Sequence, residues 1–413
     1  LQHGIFSKLM LTVSQALTNS MLFRPLELAR SLWHAIQRRA PPWFESSLLP
    51  ALFQLKDMVR LLFRPMLPKN EFFGADGADG PKAIGVGLTP IAGLYSEFLA
   101  QWPSERPTND TPFWRVRAAG LKKSADLVAV EGPLLLIKAL PRHNALILPR
   151  CVAHTMDVTG EWQDVCRRFH DSVRTNELRW IRKYGYRFEK STNTGHFEHF
   201  YESMYLPTIN RRHGSAAILD SKAKAYEFFE NGFLLRVFKG GTWVAGALCE
   251  LRASGLRLCE LGVWEANDAL IKEGAMGAAY IAAIQTANNL KCHRIDLTAS
   301  ASLLSNGTFQ HKRKWGTSVS LPVSDQQRIW IHIARYTPAI HRLLAMNPMI
   351  TVDQDGQLQA LVALESLDDW TTAEAERWRR RFFVPGLSSI RVLPLDRFRE
   401  TGVLSFVTMV LET

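Results

Sequence analysis

Apolar positions along this chain recur at helical spacing, then in short alternating runs, then at helical spacing again, and these switches predict its elements. In "LELARSLWHAIQRR" the spacing of Leu28, Leu32 and Ile36 predicts a helix that Pro41-Pro42 ends. "LLPALFQLKDMVRLLF" predicts another, so residues 1–80 read as a helical N-terminal region. The stretch "GADGADGP" at 74–81 is a turn or linker. It lacks the GK[ST] of a phosphate loop, and its acids would repel phosphate.

From about 85 the pattern shortens to strands: "FWRVRAA", "ADLVAVEG", "PLLLIKAL" and "NALILP", with a turn at Gly132-Pro133. A long helix is predicted over 161–184, with Trp162, Cys166, Phe169, Val173, Trp180 and Tyr184 on its apolar stripe and a mixed charged face outward. Residues 195–322 then read helix, strand "AAILD", helix "SKAKAYEFFENG", and three strands in "FLLRVFKGGTWVAGALCEL" and "GLRLCELGVW", turning at Gly240-Gly241. The small-residue helix "GAMGAAYIAAIQTANNL" and the strand "HRIDLTAS" complete a mixed α/β unit. Residues 325–413 predict a helix near 325–345, a hairpin around Gln354-Asp355-Gly356, a helix over 371–381 and strands in "SIRVLPL" and "LSFVTMVLE". This is a small α/β appendage without visible chemistry.

Composition narrows the picture. A chain of 413 residues calls for two or three cores, here set at 85–190, 195–322 and 325–413 behind the N-terminal region. Hydrophobic content of 46% with 22% charged residues is that of a folded protein. The net charge of +11 favours an anionic partner: a phosphorylated cofactor, nucleic acid, an acidic carrier protein or a membrane surface. No recognised nucleic-acid-binding motif accompanies that charge. Residues 1–70 carry nine Lys and Arg against three acids, which suits a basic amphipathic surface touching anionic lipid or a carrier protein. The uncharged stretch 9–23 is shorter than the ~20 apolar residues a membrane span needs and is interrupted by Ser, Gln, Thr and Asn. Five cysteines without a CxxC read as reduced core residues, and the expected location is the cytoplasm, with peripheral contact to the inner membrane. His196 and His199 lack further metal ligands nearby in sequence and read as structural, so no metal is expected.

Chemistry concentrates in 240–316. Gly274 and Gly277 open the small-residue helix, where backbone N–H groups and the helix dipole could meet a pyrophosphate. Close packing is an equal reason for glycine there. Glu250, Glu260 and Asp296 are strand acids and candidates for a general base. Arg211 and Arg212 lie at a helix end, where cations also suit the dipole. In "SNGTFQHKRKWG", Lys312, Arg313 and Lys314 stand together before Trp315-Gly316, with no acid close in sequence.

The order of these motifs resembles the FemAB-like branch of the GNAT acyltransferase superfamily, over about 110–320. "FYESMY" is similar to the helix preceding the acyl-transfer domain. "DLTAS" followed by His311-Lys312-Arg313-Lys314-Trp315-Gly316 resembles the family's F-K-x-x-F/W-G run, with His311 in place of the aromatic. "RRFHDSVRTNELRWIRKYG" resembles the basic helix that ends the first half. The resemblance implies a mixed α/β fold, with a GNAT-like mixed sheet, flanking helices and two GNAT-like halves. It implies N-acyl transfer from acyl-CoA or an acyl carrier protein to a small-molecule amine, or from aminoacyl-tRNA in the FemAB manner. No cofactor would be permanently bound. Lys272-Glu273-Gly274-Ala275-Met276-Gly277-Ala278 approximates the coenzyme A pyrophosphate signature, implicating Lys272, Gly274, Gly277 and Ala278 in donor binding. Lys312 becomes a cation at the reacting centre, with Glu260 and Asp296 as candidate general bases beside it. Arg211, Arg212 and Trp315 become candidate substrate contacts, although Trp315-Gly316 also suits a structural anchor, and Arg313 and Lys314 read as solvated charge. Backbone groups at a splayed strand pair would carry much of the catalysis, without a side-chain triad. A non-catalytic GNAT-like domain that binds a partner or membrane remains the reading from another class.

Overall fold

The alternating segments pair into three sheets. The structure is a computed structural model and describes residues 49–63, 66–73, 82–87, 102, 104–116, 125–213, 219–323 and 325–410. The helix expected over 26–39, the uncharged stretch 9–23, the turn 74–81 and most of "AAILD" lie outside the described residues. The strands are β1 (Met66–Phe73), β2 (Lys82–Val86), β3 (Ser104–Pro112), β4 (Leu127–Pro133), β5 (Ala145–Pro149) and β6 (Cys151–Asp157). They continue with β7 (Arg187–Ser191), β8 (Gly232–Lys239), β9 (Thr242–Arg252), β10 (Gly255–Val263), β11 (Arg294–Ala301) and β12 (Ser318–Ser320). The last are β13 (Gln327–Ile333), β14 (Met349–Val352), β15 (Leu358–Leu364), β16 (Leu387–Pro394) and β17 (Val407–Val410).

The first sheet has the order β3-β1-β2-β4-β13-β5, the second β12-β6-β11-β10-β9-β8-β7 and the third β14-β15-β16-β17. All three are mixed: β2–β4, β10–β11 and β15–β16 run parallel. Helices flank the second sheet on both faces. One face packs on the Ala275–Asn289 helix together with Val165, Phe169 and Val173, and the other on Thr194–His213 and Lys222–Glu230. Ala275, Ala278, Ala279, Ala282 and Ala283 are fully buried, and their small side chains bring that helix close to β8, β9 and β10. The mixed α/β class with flanking helices is the one expected, and the helices over 49–63, 222–230, 275–289 and 372–382 stand where their periodicity placed them.

Several segments depart from expectation. "QRIWIHI", expected within a helix, is β13, inserted between β4 and β5. Its burial is nearly continuous, and a strand covered on both faces loses the two-residue alternation that would distinguish it. The chain likewise passes from the first sheet to the second between β5 and β6, which only Arg150 separates. Sheet membership therefore crosses the boundaries drawn at 190 and 322. "PLLLIKAL" is the helix Leu134–Lys138 rather than a strand, since its apolar run is too short for period to decide. "FWR" is a single 3₁₀ turn. β1 lies inside the expected helical region, with its ladder to β3 shifting register around Pro68, which has no N–H to donate. The helix over 161–184 is broken: Trp162–Arg167 ends, the His170 amide donates to Lys314 O (2.8 Å), and a π-helical turn, Val173–Glu177, leads into Leu178–Tyr184.

Candidate active site

A wedge opens in the second sheet between β10 and β11. The Ala275–Asn289 helix connects these strands, and they pair only at Leu256↔Ile295 and Arg257↔Asp296. Beyond that point each strand is distorted. The ladder of β10 with β9 shifts register between Leu258 and Glu260, leaving Cys259 as an extra residue. The ladder of β11 with β6 shifts between Asp296 and Ala299, and Thr298 sits at φ 64°, a strained value for a β-branched residue. The Asp296 carboxylate accepts from Thr298 N (2.7 Å) and so caps this kink. Its other oxygen lies 3.6 Å from Arg257 Nε, so Asp296 shapes β11 instead of standing free as a base.

Lys312 enters the wedge from the β11 side. It sits on the short helix Gly307–Arg313, started by Asn306, whose side chain accepts from Thr308 N and Phe309 N. Lys312 is only 5% exposed. Its Nζ donates to Ala299 O (2.7 Å) and Thr298 Oγ1 (2.9 Å), two of its three N–H donors, and among the described residues no carboxylate ion-pairs with it. Burial lowers its pKa to about 8, partly offset by Asp296. A second layer fixes this helix: Thr317 Oγ1 donates to Lys312 O (3.3 Å), and His154 bridges Thr317 Oγ1 (3.1 Å) and Ser300 Oγ (2.8 Å). Burial, and then Lys312, holds His154 down at about 3, so the ring is neutral.

Glu260 lies on β10 just past the register shift, near enough to Lys312 to act on its pKa. Burial first, then the hydrogen-bonded Asp220 carboxyl, raises its pKa to about 9. Glu260 is thus a neutral acid at pH 7, which corrects the expectation of a ready general base. Tyr201 and Tyr205 complete its surroundings. Tyr205 Oη accepts from Asp220 N (3.1 Å) and Tyr201 Oη donates to Asp220 O (2.9 Å), and burial followed by Glu260 raises both phenols above their usual range. Both tyrosines lie on a π-helical turn, Tyr201–Tyr205. That turn approaches β10 at Gly262, where a Cβ would stand 2.6 Å from Tyr205 N. Glu250, the third strand acid, is buried and paired with Arg252 (2.7 Å).

The expected pyrophosphate loop is filled by the chain itself. A Cβ at Gly277 would overlap Glu177 Oε2, and one at Gly274 would lie 2.7 Å from Trp180 Cε3. The Glu177 carboxylate occupies the first turn of the Ala275–Asn289 helix and pairs with Lys314 Nζ (2.6 Å). Gly274, Gly277 and Ala278 are buried and Lys272 points to solvent, so these four residues do not form an open phosphate cradle. Their glycines serve close packing.

The other candidates separate. Trp315 is fully buried, stacked on Tyr280 (centroids 5.1 Å) and set edge-on to Phe169. It anchors the motif and has no surface for substrate. Arg313 and Lys314 are not solvated charges: Arg313 donates to Phe383 O and Arg380 O (3.1 Å each), and Lys314 takes Glu177. Arg211 binds Ala266 O (3.0 Å) and Asp268, which ties down the chain after β10. Arg212 is exposed; burial pushes the Tyr280 phenol up to about 12 with Arg212 only opposing it, and burial, then Lys314 and Arg212, holds His311 down at about 3. His196 is held by Ser191 Oγ (2.7 Å), and His199 stacks on Trp264 (5.0 Å). Among the described residues, no three His, Cys, Asp or Glu are grouped to hold a metal. Sequence reasoning passed over Tyr201, Tyr205, Asp220 and His154. "FYESMY" was visible, but nothing local aims its tyrosines at Glu260.

No family model matches the sequence, and no curated protein matches it either. Similar solved structures include FemX, 10% identical over 68% of this chain and 90% of that one at a TM-score of 0.36. Another is L-PGS from Bacillus licheniformis, 11% identical over 67% and 87% at a TM-score of 0.30. A GCN5-related N-acetyltransferase from Kribbella flavida is 12% identical over 71% and 98% at a TM-score of 0.25.

Proposed function

We propose that this chain transfers an acyl or aminoacyl group from a carrier to an amine, within the wedge between β10 and β11. The observation that carries this reading is a buried lysine on one side of a splayed parallel pair and a neutral carboxylic acid on the other. Neither arrangement stabilises the fold in an obvious way: burying each group is costly unless it is used. The neutral amine attacks the carbonyl carbon of the donor, and the carbonyl oxygen becomes an oxyanion. Lys312, with one N–H uncommitted, stabilises that charge. The bond to the carrier's oxygen or sulfur then breaks, and Glu260 gives its proton to that leaving atom. The Glu260 carboxylate takes a proton from the nitrogen of the new amide and is restored. Asp296 and the His154 bridge hold Thr298 and Lys312 in position.

Glu177 favours a donor that needs no pyrophosphate at the start of the Ala275–Asn289 helix. An acyl carrier protein or an aminoacyl-tRNA suits that better than free acyl-CoA. The test supplies purified protein with acyl-CoA, acyl carrier protein or aminoacyl-tRNA and a pool of amines, and follows amide product by mass spectrometry. Product from a carrier-linked donor, abolished by Lys312→Met, is expected. A binding domain without catalysis gives no product with any donor. Turnover unaffected by Lys312→Met would remove the assignment.

A further inference from the structure

Six of the eleven large apolar side chains exposed among the described residues come from one end of the first sheet. Leu52, Leu55 and Val59 lie on the Leu49–Phe63 helix, within about 60° of arc at 100° per residue. The opposite side of that helix is buried through Phe53 and Leu61, and Asp57 there accepts from Gln327 Nε2 (2.7 Å). Gln327 pairs opposite Pro133 at the end of β4, and Leu135, 53% exposed, follows two residues on. Met66, the first residue of β1, pairs opposite Pro112, two residues before Trp114, which is 61% exposed. One helix face and the adjoining end of one sheet thus each present exposed apolar side chains. Soluble chains leave single apolar residues exposed as a matter of course, but not a gathered set of aliphatics with a tryptophan.

We infer that this end of the first sheet docks on the surface of an anionic lipid bilayer. Exposed Lys56, Arg115 and Lys138 flank the apolar residues, and residues 1–70 carry nine basic against three acidic side chains. Aliphatic residues bury into the headgroup–acyl boundary, an indole suits that depth, and the surrounding cations meet lipid phosphates. A second copy of the chain is the poorer occupant, since a two-fold contact would bring the same basic residues face to face. No helix among the described residues is long and apolar enough to cross a membrane. The inference does not depend on the proposed reaction.

The experiment is vesicle flotation of the full chain with phosphatidylcholine alone and with phosphatidylcholine mixed with phosphatidylglycerol. The protein floats with the anionic vesicles, and added salt weakens binding. Leu55→Glu/Val59→Glu/Trp114→Glu lowers binding by about tenfold, whereas Val403→Glu, at an exposed apolar residue elsewhere, leaves it unchanged. The single change Trp114→Glu repeats the test should the triple variant fold poorly. No binding of the unmodified chain to anionic vesicles, or equal binding by the variants, overturns the inference. So does light scattering in which the unmodified chain is a dimer that these substitutions split, because the patch would then join two copies.

Discussion

Two places in the second sheet looked from sequence like sites for negative charge, and they turned out opposite. At the start of the Ala275–Asn289 helix, a carboxylate of the chain already sits against the backbone and is neutralised by Lys314. Between β10 and β11, a buried lysine has hydroxyl and carbonyl partners but no carboxylate among the described residues. The first place is electrostatically complete. The second is not, and a buried cation lacking an anion is poised for one that arrives or develops during reaction. Glycines before a helix therefore carry less functional information than a buried charge with an open donor.

The strongest way to break this contrast is Lys312→Met, which keeps the volume and removes the charge. Turnover should fall by about a hundredfold or more, with the KM values little changed. Unchanged kcat would make the wedge as inert as the helix start. Next is Gly277→Ala, whose Cβ collides with Glu177. It should push the flexible carboxylate end aside and loosen its pair with Lys314, and alanine's helix preference of about 1 kcal/mol over glycine should offset that loss in denaturant titration, without altering substrate preference. An unmoved Glu177–Lys314 pair in a crystal structure of the variant would mean that the notch is not filled by Glu177.

The pH profile sharpens the comparison. Lys312 acts as a cation and loses that form as pH rises through about 8, while Glu260 loses its proton near 9. The alkaline limb of kcat/KM should fall near 8 in the native enzyme and move toward 9 in Lys312→Arg. An unmoved limb would show that another group sets it. Stability gives an independent reading of Glu260. Its folded pKa lies above the unfolded value of 4.5, so its contribution is full below that value and is lost as pH rises toward about 9. Glu260→Gln should flatten that part of the stability curve. The smallest effect concerns Glu177→Ala, which opens the notch. A thermal shift with coenzyme A, absent in the native protein, should emerge in this variant, and its absence would show that removing the carboxylate does not create a phosphate site.

Legibility from sequence followed the range of the interactions. The hairpin at Gly240-Gly241, the alanine-rich helix and the strand carrying Asp296 were readable because turn chemistry and periodicity are local. β13 was not, because a strand covered on both faces shows no alternation. Lys312 could be singled out from its motif, and Trp315 recognised as an anchor. The roles of Arg313 and Lys314 could not, since their partners, Arg380, Phe383 and Glu177, lie 67, 70 and 137 positions away.

By itself, then, the sequence determined the α/β class, most helices and strands, and the candidacy of Lys312 and Glu260. Only the tertiary structure decided what those residues face. It brought Tyr205 and Asp220 to Glu260, filled the helix start with Glu177 and opened β10 from β11 around Lys312. The reason is physical: hydrogen-bonding propensity and amphipathic period act within a few residues, whereas desolvation and charge pairing, which fix protonation and reactivity, depend on neighbours that only folding assembles.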